Sequence, residues 1–150
     1  MRIKTVFIFC FIWLLCACSN TDNDTSLVFL NGDGKKLSDF EGQWLLINYW
    51  AAWCKPCLNE IPELNVINAR SDVEVLAFNY DDLDETLLRK QLDKFDIQYR
   101  SIVIDPALLF KQAKPRGLPA TIVVNQRGEF VKWLYGAQSR QSLLEVIVQP

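Results

Sequence analysis

Six consecutive residues, Leu-Leu-Ile-Asn-Tyr-Trp at positions 45–50, constrain this chain more than any other feature. Asn48 alone interrupts the apolar run, so a strand formed here hides both of its faces. Strands buried on both sides occur where further layers cover a sheet above and below, as in α/β proteins. The run Val-Glu-Val-Leu-Ala-Phe at 73–78 reads the same way. Between the two, Leu58, Ile61, Leu64 and Ile67 recur at helical spacing, with Pro62 inside that helix and expected to bend it.

The remaining segments extend that alternation. Residues 26–30 and 35–37 predict two short strands around the turn Asn31-Gly32-Asp33-Gly34. Asp84 fits a helix N-cap ahead of Leu87, Leu88, Leu92 and Phe95. Residues 101–104 predict a short strand, and Asp105-Pro106 a small helix running through 113. Residues 121–125 and 129–135 predict a hairpin around Gln126-Arg127-Gly128, and 138–148 a closing helix with Leu143, Leu144 and Ile147 inward. The expected fold is therefore α/β, with a mixed central sheet flanked by helices and a short N-terminal β-hairpin. One domain over residues 27–150 holds all of these elements.

The N-terminus is set apart from that domain. Arg2 and Lys4 precede 13 uninterrupted apolar residues, positions 6–18, short of the ~20 that a membrane-spanning helix needs. A basic start and a short apolar run predict a secretory signal. Leu15-Cys16-Ala17-Cys18 resembles a bacterial lipobox, which implies a signal peptide at 1–17 and lipidation of Cys18. Acyl chains contribute about 0.8 kcal/mol per buried CH₂, so several together anchor a soluble domain firmly. A signal cut elsewhere and an uncleaved anchor are the other readings. Residues 18–26 then make the lipidated cysteine and a polar tether, and Ser19 at the following position points to the outer membrane.

Composition narrows the chemistry. The chain has no histidine, which removes Ser-His-Asp catalysis, His-ligated metals and imidazole acid–base work together. Its 16 Lys and Arg against 18 Asp and Glu give a net charge of −2, so the basic excess of a nucleic-acid binder is missing. Of five cysteines, Cys10 and Cys16 leave with the signal and Cys18 is the lipidation site, so Cys54 and Cys57 remain. Two thiolates without histidine do not complete a structural zinc site, and Leu58 after Cys57 rules out haem attachment. No metal and no cofactor are expected. A disulfide across so short a loop restrains the unfolded chain little, so a redox dithiol is favoured over a purely structural bridge.

Position assigns the two cysteines different roles. A buried strand gives way to a helix at Cys54, where the helix dipole and unpaired N–H groups favour thiolate. Lys55 adds positive charge beside it. Cys57, one turn on, is expected to be more buried, which makes Cys54 the nucleophile and Cys57 the resolving thiol.

The stretch Trp50-Ala51-Ala52-Trp53-Cys54-Lys55-Pro56-Cys57-Leu58-Asn59-Glu60-Ile61-Pro62 resembles the thioredoxin superfamily, and within it the TlpA/ResA-like membrane-tethered thiol–disulfide oxidoreductases. Gly117-Leu118-Pro119-Ala120-Thr121 resembles the cis-proline loop of that fold. The resemblance implies a cis Pro119 against the cysteine pair, where sequence alone reads a turn residue. It also implies that Trp53, Pro56, Leu118 and Pro119 meet the substrate. Glu60 matches an acid of this subgroup three residues after the second cysteine, on the same helix face, placed to shuttle the Cys57 proton. The alternative is an exposed helical glutamate. Asn48 stands where thioredoxin has a buried aspartate, and an amide cannot take a proton, which strengthens the case for Glu60.

The expected activity is thiol–disulfide exchange, reducing disulfides of periplasmic proteins through a Cys54–Cys57 cycle. A lipid-anchored monomer on the periplasmic side of a bacterial membrane is expected, fed by an upstream membrane thiol donor. The same site run backwards is an oxidase or isomerase. A metallochaperone is disfavoured, because copper-delivery relatives typically add a histidine ligand. Asp81-Asp82-Leu83-Asp84-Glu85 reads as a solvated helix start, and Lys114 and Arg116 as surface charge.

Overall fold

The apolar run at 45–50 becomes the central strand of the molecule. The computed structural model describes residues 26–147, so the expected signal peptide, Cys18 and nearly all of the tether lie outside the described residues. A small antiparallel hairpin, β1 (Ser26–Val28) with β2 (Gly34–Lys36), comes first, and a 3-10 helix at Leu37–Phe40 leads into β3 (Trp44–Trp50). Then follow α1 (Lys55–Asn68), β4 (Val73–Asn79), α2 (Glu85–Lys94), β5 (Arg100–Ile102), a 3-10 helix at Pro106–Phe110, β6 (Ala120–Val124), β7 (Phe130–Tyr135) and α3 (Arg140–Ile147). The five-stranded sheet has the order β5-β4-β3-β6-β7. β3, β4 and β5 run parallel, whereas β6 and β7 are antiparallel to their neighbours.

Period-two alternation along β3 feeds two separate cores. Leu46 and Trp50 pack with Leu64 and Ile67 of α1, Leu88 of α2, and Leu143 and Ile147 of α3. Leu45, Ile47 and Tyr49 face the other way, onto Leu27, Phe29, Phe40 and Ala107 from the hairpin and the two 3-10 segments. This is the expected α/β sheet. Its three helices place their buried residues on one face, while irregular segments close the other.

Several boundaries differ from the expected ones for local reasons. The strand at 101–104 ends at Ile102, the last residue with a β4 partner, and Val103 instead donates its N–H to Val28. Asp105 caps the next turn through the Ala107 N–H, but the turn is a 3-10 helix that stops at Phe110. α3 begins at Arg140 rather than 138, because Ser139 caps it by accepting from the Ser142 N–H, which leaves Gln138 outside the helix with its N–H on Glu60. Within α2, Asp84 accepts from Leu87 N as expected, yet Leu87 itself is exposed and Leu88 takes the buried position. α1 runs on through Pro62, whose missing N–H removes one rung of its ladder.

Candidate active site

Register alone brings the cysteine motif and the proline loop together. β6 runs antiparallel to β3 with Ala120 opposite Tyr49, so one step further Pro119 lies beside Trp50 and the start of the cysteine turn. The Leu118–Pro119 peptide is cis, and the Pro119 carbonyl accepts from Gly136 N at the end of β7. The site thus sits beyond the carboxyl end of the central parallel strand, where open α/β sheets place their ligands.

The turn after Trp50 closes through Cys54 N–H to the Ala51 carbonyl, and Cys54 is the N-cap of α1. Lys55 and Pro56 occupy the first turn, where a proline costs nothing because that N–H lacks an intrahelical partner. Cys54 and Cys57 form a disulfide, with Cα atoms 5.3 Å apart. The Cys57 N–H points at the Cys54 sulfur at 3.3 Å, so an orphan donor of the helix end faces the sulfur that would carry negative charge. Cys54 keeps 4% of its surface and Cys57 none.

Trp53 stands at the rim, 65% exposed. Its indole N–H is shared between both carboxylate oxygens of Asp81 at 3.1 Å. The acidic stretch at 81–85, read from sequence as a solvated helix start, therefore also holds a rim residue of the site. Pro56 is exposed beside it, Leu118 is half-buried and Pro119 buried. Lys114 bonds the Tyr80 carbonyl at 3.1 Å and lies 4.0 Å from the Tyr80 ring centroid.

Glu60 is the feature with the most chemical consequence. The buried line of α1 is Cys57, Glu60, Ile61, Leu64 and Ile67, so the carboxylate lies on the core face while Leu58 is only half-buried at its edge. At 2% exposure, Glu60 is not the exposed helical residue of the alternative reading. Its Oε1 accepts from Asn48 Nδ2 at 2.7 Å and its Oε2 from Gln138 N–H at 2.9 Å. Asn48 Nδ2 also reaches Thr121 Oγ1 at 3.2 Å, directly across the β3–β6 pair. Burial penalises the carboxylate and pushes its pKa up to about 7, against the two donors, which favour the charged form. Burial likewise pushes the Tyr99 phenol up, with the Glu60 charge adding to the effect. The sequence pattern assigns no role to Tyr99 or Gln138, and Thr121 enters it only as the end of the proline loop. Thr121 carries the one usable signal, a polar residue in an apolar strand facing the polar residue of another.

The AhpC/TSA family model matches residues 23–133. The chain is 31% identical over 131 residues to the thiol-disulfide oxidoreductase ResA of Geobacillus kaustophilus, covering 85% of this chain and 74% of that protein. It is also 31% identical over 120 residues to ResA of Halalkalibacterium halodurans, covering 77% and 67%. Among solved structures, a secreted thiol-disulfide isomerase from Corynebacterium glutamicum superposes with a TM-score of 0.71 at 24% identity, over 83% of this chain and 81% of that one, a likeness of fold. The chain belongs to the AhpC/TSA family and, within its thioredoxin-like members, to the ResA-type thiol–disulfide oxidoreductases.

Proposed function

We propose that the chain reduces disulfides of exported proteins, from a lipid anchor at Cys18 on the periplasmic side of a bacterial membrane. The observation that carries this reading is the Cys54–Cys57 disulfide at the start of α1, where Cys54 keeps a trace of exposure and Cys57 none. In the reduced protein the Cys54 thiolate attacks a substrate disulfide, forming a Cys54–substrate bond and releasing one substrate thiolate. Cys57 gives its proton to the Glu60 carboxylate and attacks the Cys54 sulfur. The Cys54–Cys57 bond re-forms and the second substrate sulfur departs as thiolate. Two electrons pass to the substrate, so a dithiol donor upstream must reduce the pair again. Trp53, Pro56, Leu118 and Pro119 form the rim against which the substrate chain lies.

The reduction potential tests the direction. A value near −270 mV or below, about that of thioredoxin, fits a reductase, whereas a value near −120 mV, about that of a strong oxidant, reverses the assignment. Cys57→Ser tests the roles, since it should trap partners on Cys54 as mixed disulfides. Partners trapped equally by Cys54→Ser would overturn the assignment of nucleophile and resolving thiol.

A further inference from the structure

We propose that Asn48 is a positioning residue, whose amide orients the Glu60 carboxylate and sets how tightly it holds a proton behind the cysteine pair. This rests on the reading that Glu60 takes the Cys57 proton. Asn48 has no exposed surface and lies in the strand that ends at the site. Both hydrogens of its Nδ2 are committed, one to Glu60 Oε1 and one to Thr121 Oγ1, so the amide cannot swing away without leaving a buried donor unpaired. With Gln138 N–H on the second oxygen, each Glu60 oxygen has one donor and the carboxylate plane is held from two sides.

The chemistry of the donor decides the direction of the effect. An N–H aimed at a carboxylate stabilises the charged form and gives nothing to a protonated oxygen in the same place. Asn48 thus opposes the burial that favours the neutral acid. An aspartate at the same place would set a second carboxylate against the first and act the opposite way. Glu63 and Arg140, from α1 and α3, are paired with each other at 3.2 Å towards solvent. Tyr99 is a titratable side chain on which the Glu60 charge acts, and its raised pKa keeps the phenol neutral where Glu60 titrates. Cys57, on the same helix, does not titrate while the disulfide is intact.

The test uses the oxidised full chain in detergent, labelled with ¹³C at glutamate carboxyls, with Glu60 assigned by the signal that Glu60→Gln removes. Asn48→Ala should raise the Glu60 midpoint by about half a pH unit or more, and Asn48→Leu, which equally lacks the donor and adds no charge, by a similar amount. Asn48→Leu matches the native side chain in size, so it carries the test where the alanine variant does not fold. An unchanged midpoint in the folded variants would overturn the inference. The pH profile of substrate-disulfide reduction by the reduced protein separates this from the reading beneath it. A midpoint that moves without the rate profile leaves Asn48 as the positioning residue and refutes Glu60 as the proton carrier.

Discussion

Tyr49 and Asn48 are neighbours on one strand, point to opposite faces of the sheet, and each anchors a buried polar cluster. On the face closed by irregular segments, the Tyr49 hydroxyl donates to Asp105 and accepts from Ala107 N–H at 3.0 Å. Burial, the Asp105 hydrogen bond and its charge all raise the Tyr49 pKa far above that of a free phenol, so its proton is fixed at any pH the fold meets. On the helical face, Glu60 is buried as deeply as many core residues, but two donors act against desolvation and bring its pKa to about 7. The Tyr49 hydroxyl uses both its donor and its acceptor capacity, whereas on the other face Asn48 Nδ2 is fully used and Asn48 Oδ1 has no partner. The two clusters differ in balance: on Tyr49 three raising effects outweigh the single opposing Ala107 N–H, whereas on Glu60 two donors oppose desolvation alone and leave a buried proton mobile near neutrality.

The largest expected effect follows from that mobility. The folded chain holds the Glu60 proton up to about 7, while an unfolded glutamate releases it near 4.5. Between those values the native state binds more protons than the unfolded state, so the stabilisation is complete below the lower value and is lost as pH rises through the upper one. Its size is about 3 kcal/mol. Glu60→Gln should abolish this slope. Urea titrations of both proteins check it, and taking their difference cancels opposite contributions from exposed carboxylates such as Asp72, whose pKa its partner Arg70 lowers. Parallel pH curves for the two proteins would mean that Glu60 does not titrate in this window.

Tyr49→Phe probes the other face. The variant keeps the ring against Phe78 and Trp133 but removes a hydroxyl that makes two hydrogen bonds. Ala107 N–H retains Asp105 as an acceptor, which limits the loss to about 1–2 kcal/mol. The informative part is its shape, because a fixed proton predicts the same loss at about pH 5 and at about pH 8. A loss confined to one end of that range would place a titrating group in this cluster too.

How much of this contrast could be read from sequence depends on the distance over which each feature is encoded. The order of strands and helices, the Asp84 cap and the Cys54–Cys57 motif rest on local spacing, and they were legible. Glu60 was half legible. Positions 57, 60, 61 and 64 trace one helical face, yet its donors come from residues 12 and 78 positions away, one of them a backbone N–H that no side-chain pattern reveals. The Trp53–Asp81 bond spans 28 positions and joins two segments that read separately as rim and solvent. In β3 every residue but Asn48 is apolar, so alternation could not say which face Tyr49 takes, and its partner Asp105 read only as a cap. The cis Leu118–Pro119 bond was legible through resemblance alone, since local sequence favours trans.

Thr121→Val should have the smallest effect and sharpens the comparison most. The substitution conserves volume and removes a hydroxyl that makes one hydrogen bond, to Asn48 Nδ2 at 3.2 Å. One buried N–H is then left unpaired, at a cost of about 1 kcal/mol. The shorter bond from the same amide to Glu60, 2.7 Å, remains and keeps the carboxylate held. The loss should therefore be uniform with pH, and the Glu60 window should stay where it is in the unsubstituted protein. Urea midpoints across that window measure both quantities. A window displaced as far as Asn48→Ala displaces it would show that the strand pair, rather than the amide, sets the proton affinity of Glu60.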